Sequence, residues 1–207
     1  MSIAEREELA RLRSALHNII ELGINALSTV TSLIERGGDY EAALREIERC
    51  MESIEMLRND LVRGSLIYMA RFQPIGYELK LVHSIIDVSY DIFRIVRYCR
   101  EIALVLSIAR LGPSDISREC LEAVSIARDM VMKAVESLER ESVEGARLVM
   151  EMDQRIDQIY RESMKILEPG NESLDRRAAA SLFLIRHLER IADHATYIAK
   201  KVFALRD

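Results

Sequence analysis

The chain has no tryptophan, only three prolines and eight glycines in 207 residues, and no stretch where Val, Ile and Thr alternate cleanly with polar residues. So few breakers cannot punctuate the many turns of a sheet protein, and without alternation no half-buried strand is expected. Long apolar runs are missing too: those around 102–109 and 178–185 fall far short of the roughly 20 residues that a bilayer span needs. Nor is there an excess of positive charge. The 29 Lys plus Arg face 34 Asp plus Glu, a formal net charge of -5, which leaves no net basic footprint for phosphate backbones and makes nucleic acid an unexpected partner. Cys50, Cys99 and Cys120 are an odd number at spacings that fit neither a zinc motif nor a disulfide framework, and they are expected to be buried small hydrophobes. The start, with Glu5, Arg6, Glu7 and Glu8 before any apolar run, lacks a signal-peptide or transit-peptide pattern, so a cytoplasmic location is the expectation.

What is present is the composition of a globular protein, 49% hydrophobic and 30% charged. Breakers cluster at Gly37-Gly38-Asp39, Gln73-Pro74-Ile75-Gly76, Gly112-Pro113-Ser114-Asp115 and Pro169-Gly170-Asn171, with a softer break near Ser142 to Gly145, where Ser142 can cap a helix. They predict six long helices at about 4–36, 40–70, 75–110, 115–140, 143–167 and 172–205. Periodicity agrees. Leu188, Ile191, Ala195, Ile198 and Val202 are spaced as one stripe, as are Val88, Ile92, Ile95, Cys99, Ile102 and Leu106, and Val149, Met152, Ile156, Ile159 and Ile166 repeat the pattern. Each stripe needs a partner, so helices of this length on short connections should pack as antiparallel bundles.

The two halves resemble each other. Segment 91–103 overlays 187–199 at an offset of 96, matching Arg94 with Arg190, Ile95 with Ile191 and Ile102-Ala103 with Ile198-Ala199. Upstream, Glu48, Met51, Glu52 and Ile54 overlay Asp153, Ile156, Asp157 and Ile159 at an offset of 105. The expected architecture is all-α, two tandem pseudo-repeated three-helix bundles spanning 1–111 and 112–207, in which superposition brings Arg94 onto Arg190.

Two acid pairs carry the chemistry. Asp153 and Asp157 on the fifth helix, and Glu189 and Asp193 on the sixth, are each four apart and stack on one face, where like charges repel by a few tenths of a kcal/mol. A solvated face explains any single pair, but these recur at equivalent places in the halves. Acids from two neighbouring helices can hold a divalent or trivalent cation: iron, zinc, manganese, magnesium or calcium. Glu189 and Asp193 fall opposite the apolar seam, so the expected site is exposed. The first half keeps Glu48 and Glu52 but has Phe93 and Arg97 where the second has Glu189 and Asp193, leaving Asp87 and Asp91 as its possible acids. Phe93 is expected to be exposed there, against another subunit or simply solvated. His187 and His194 flank the second pair as possible extra ligands, whereas His17 and His83 are read as packing or surface residues.

Other chemistry is excluded by spacing. The residues three before the histidines are Ser14, Lys80, Leu184 and Ile191, which removes the Glu-x-x-His signature of ferritin-like di-iron proteins. No Gly-rich phosphate loop, Gly-x-Ser-x-Gly elbow or His-Glu-x-x-His motif occurs. A metal-dependent bundle enzyme and a purely structural helical adaptor both remain open on these residues.

The run Leu188-Glu189-Arg190-Ile191-Ala192-Asp193-His194-Ala195, with Ile198-Ala199 after it, resembles the repeat motif of the PhoU family of phosphate-uptake regulators, which favours Gly at the place of Ala192. Gln73-Pro74 and Glu78-Leu79-Lys80, followed by Asp91, resemble the lead-in to that family's first repeat. The resemblance implies two three-helix repeats, metal clusters on the bundle surface and regulation without catalysis. It implies Glu189 and Asp193 as ligands, faced by Asp153 and Asp157. It also implies partners: the cytoplasmic components of a phosphate ABC transporter and, in bacteria, a membrane sensor kinase. A homodimer is expected.

Overall fold

The computed structural model describes residues 2–168 and 175–206. Six helices account for most of them: α1 (Ile3–Arg36), α2 (Tyr40–Phe72), α3 (Tyr77–Ala109), α4 (Arg118–Arg140), α5 (Val143–Ser163) and α6 (Arg176–Arg206). Among the described residues there is no strand. The expected break at 169–171 and the expected first residues of the last helix lie outside the described residues; α6 begins at Arg176, with Asp175 accepting a bond from the Ala178 amide.

Caps explain the ends. Ser2 and Glu5 form a reciprocal capping box on α1. Asp39 caps α2 and Ser142 caps α5, as expected of Ser142. The fourth helix starts three residues later than the breakers predict, because Pro113 opens a 3-10 turn (Pro113–Asp115) and Ser117 supplies the cap by accepting from the Cys120 amide. The fifth ends earlier as an α-helix, tightening into a 3-10 turn at Met164–Leu167. The second runs two residues further, to a left-handed Gln73 ahead of Pro74, which cannot continue a helix.

Helices α1, α2 and α3 pack mutually, as do α4, α5 and α6; α3 against α6 and α1 against α4 join the two groups. One continuous apolar core runs through both, from Ile19, Ile47 and Ile54 through Ile92, Ile95 and Ile102 to Met130, Leu188 and Ile198. Two helical glycines permit the closest approaches. A Cβ on Gly23 would stand 2.5 Å from Ile92 Cγ2, and one on Gly145 would stand 2.3 Å from Ser137 Oγ, where α4 and α5 meet after a tight hairpin.

Two expectations about single side chains need correction. Cys99 and Cys120 are buried but Cys50 is only half-buried, packed against the core between Ile47 and Ile54 of α2. Phe93 is half-buried against the core, since α3 is packed by α1, α2 and α6 and has little free face left. No helix among the described residues is long and apolar enough to cross a membrane.

Candidate functional site

Helix α5 carries Asp153 and Asp157 and α6 carries Glu189 and Asp193, and the packing of α5 on α6 sets the four carboxylates in one another's field. Burial pushes the Asp153 carboxyl up, and the charges of Asp157 and Asp193 push it further, against Thr196 and Lys200. Burial likewise raises Glu189, reinforced by Asp193 and opposed by Arg186 and Arg190. Thr196 lies close enough to Asp153 to favour its charged form, yet its buried hydroxyl makes no hydrogen bond of ordinary geometry.

The expected exposure of this site is wrong. Glu189 and Asp193 side chains are only 12% and 23% exposed, because α6 is packed by α3, α4 and α5 and two arginines lie beside them. Arg186 Nη1 donates to Glu189 over 2.7 Å and Arg190 Nη1 to Asp193 over 2.6 Å. Among the described residues no three His, Cys, Asp or Glu side chains are arranged to hold a metal ion. The donor set nevertheless has the right chemistry: oxygen ligands only, with two carboxyls whose charged forms are disfavoured until a cation offsets them. Loading would require Arg186 and Arg190 to let go.

The first-half acids do not converge. Glu48 accepts from Arg100 Nε over 3.0 Å, Glu52 is exposed with no ion pair among the described residues, and Asp87 is held by Lys201. Asp91 is buried and accepts from His194 Nδ1 over 2.9 Å. His187 and His194 are therefore not extra ligands of the second acid pair: seven apart on α6, they share the side that meets α3, opposite Glu189 and Asp193. Burial lowers the His187 pKa, with Glu101 opposing and Arg186 assisting. His17 and His83 are exposed, beside Glu139 and Asp87.

Sequence reasoning missed a second cluster at the α3–α6 contact. Arg94 Nη2 and Arg190 Nε both donate to the Tyr98 hydroxyl, over 2.5 and 3.3 Å, and the Tyr98 ring lies 5.9 Å from the rings of both His187 and His194. The offset of 96 already paired Arg94 with Arg190 and Tyr98 with His194; that signal showed equivalence, not contact.

Residues 121–202 match the PhoU domain. A phosphate-specific transport system accessory protein PhoU homolog of Pseudomonas putida is 28% identical over 212 residues, spanning 98% of this chain and 79% of that protein. Its counterpart in Archaeoglobus fulgidus is 26% identical over 202 residues, spanning 97% and 90%. The crystal structure of PhoU from Pseudomonas aeruginosa superposes with a TM-score of 0.81 at 24% identity, covering 97% of this chain and 98% of that one. The phosphate transport system regulatory protein PhoU from Streptococcus pneumoniae gives 0.84 at 19%, covering 98% and 96%. Those two likenesses establish the fold. The second half of the chain thus carries a match to the PhoU domain, and nearly the whole chain is similar to PhoU homologues.

Proposed function

We propose that this protein regulates inorganic phosphate uptake and phosphate-responsive signalling from the cytoplasm, by contact with the cytoplasmic components of a phosphate ABC transporter and, in bacteria, a sensor kinase. The observation that carries the reading is that relatives named as accessory proteins of the phosphate-specific transport system match 97–98% of the chain. The protein works by binding, as a homodimer of two three-helix units (1–111 and 112–207), and has no turnover of its own.

Asp153, Asp157, Glu189 and Asp193 hold iron, zinc, manganese, magnesium or calcium in this reading. A bound cation supplies positive charge that neutralises the acidic groove between α5 and α6. Its counterweight in the protein is the pair Arg186 and Arg190, which already occupy Glu189 and Asp193 and set the threshold for loading. What supports the site is the burial, reinforced by mutual repulsion, that raises Asp153 and Glu189. The test is capture of transporter subunits by purified protein, with and without chelator. Loss of capture in Glu189→Ala with Asp193→Ala supports the reading; undiminished capture removes the metal face from it. Metal-dependent hydrolysis of phosphate esters at enzymatic rates, abolished by the same substitutions, overturns it.

A further inference from the structure

We propose that Arg94, Arg190, Tyr98 and His187 form a binding site for a free tetrahedral oxyanion, with inorganic phosphate as its ligand. The cluster holds donors that no described group serves. Two guanidinium groups, one from each half of the molecule, end on a single neutral phenol, where their charges repel. Arg190 has a carboxylate, Asp193, on its other nitrogen. Arg94 makes no ion pair among the described residues, and its Nε is buried without a hydrogen-bond partner. Tyr98 accepts from both arginines, so its own O–H remains to be given, and no described group accepts it. His187 Nδ1 is also buried and unpartnered. Buried donors left unmade are costly, and a ligand that only accepts satisfies several at once.

The shape of the donor set selects the ligand. A planar carboxylate is served by the fork of one guanidinium, whereas donors arriving from two helices at one phenol match an ion with oxygens in several directions. Arg94, Tyr98 and His187 are half-buried and Arg190 is 30% exposed, so the cluster borders solvent, while Arg94 Nε and His187 Nδ1 are themselves covered and an ion reaches them only when the side chains around them part. The carboxylates around it are already engaged: Asp193 by Arg190, Glu189 by Arg186, Asp91 by His194 and Glu101 by Arg100. The proposal requires neither the metal nor the transporter contact, although the two sites meet at Arg190, whose Nε serves Tyr98 and whose Nη1 serves Asp193.

The experiment is calorimetric titration of the full chain, dialysed free of phosphate, with inorganic phosphate at low ionic strength, and with acetate in parallel. Saturable phosphate binding is expected, weakened at least about tenfold by Arg94→Gln, which removes a charge-assisted donor. Tyr98→Phe should weaken it by a smaller factor. Chelator should leave it unchanged, which separates this site from the metal reading, and Glu151→Gln on the exposed side of α5 is the control variant. Circular dichroism verifies that the variants remain folded, and phosphorus NMR of wild-type protein gives a readout that does not depend on any variant. Absence of saturable phosphate binding, acetate binding as tight as phosphate, or wild-type affinity in folded Arg94→Gln overturns the proposal.

Discussion

His194 donates from Nδ1 to the Asp91 carboxylate over 2.9 Å, with side chains 5% and 8% exposed, across the contact between the two helical groups. The offset of 96 makes Asp91 the counterpart of His187, and Tyr98 the counterpart of His194. Tyr98 and His187 in turn meet, with ring centroids 5.9 Å apart. The contact of each residue is thus mirrored by its counterpart, which is the signature of a two-fold relation between the halves. Arg94 and Arg190, themselves counterparts, meet between these two contacts.

Asp91→Ala leaves a buried imidazole nitrogen without its acceptor and should cost about 2–4 kcal/mol. Asp91→Asn keeps an acceptor oxygen and should cost about half as much. Urea midpoints at unchanged m-value measure both; equal effects would mean that the hydrogen bond contributes nothing beyond packing.

Gly23→Ala forces a methyl to 2.5 Å from Ile92 Cγ2, and Ile92 is too stiff at χ1 on its helix to turn away. Overpacking of about 1–3 kcal/mol should outweigh the gain of about 1 kcal/mol in helix propensity. Combining it with Ile92→Ala should abolish the penalty, so the two changes are strongly non-additive in denaturant unfolding.

The folded-state pKa values of Asp153 and Glu189 lie above their ordinary range, through burial and then neighbouring acids. The native state therefore holds these protons more tightly than the unfolded chain. Without metal, their contribution to stability falls as pH rises from the ordinary carboxylate range through the raised native values, and the cost persists above them. Asp153→Asn should raise the urea midpoint at pH 7.5 more than at pH 4, by less than about 1 kcal/mol because the group is only half-buried.

Metal content should follow the same four acids. Elemental analysis of protein purified without chelator should show bound metal that falls in Glu189→Ala with Asp193→Ala. In parallel, added cation should raise the melting temperature of wild-type protein and not that of the variant. Arg186→Gln, which frees Glu189, should lower the cation concentration needed.

Thiol labelling separates the cysteines. Cys99 and Cys120 are fully covered; burial raises the Cys99 thiol strongly and pushes Cys120 up to about 12. Cys50, half-buried and raised by burial and Glu46, should react first and slowly in the native protein. The other two should react only on unfolding, as measured by mass spectrometry over time.

The amino-acid sequence determined the helical class, the breaks and the residues that share each stripe, because 3.6-residue periodicity and capping chemistry are local. It also showed the equivalence of Arg94 with Arg190. It could not say which helix each face meets. Glu189 and Asp193 lie opposite the seam of α6, which in a helix with one packed side means solvent; α6 is packed by three helices, so that side meets α5 and is largely covered. Asp91, one acid among many in the sequence, became the buried partner of His194, and Tyr98 the shared acceptor of two arginines, only when α3 and α6 crossed. Those contacts join residues about 100 positions apart, and only the packing of one helix against another sets them.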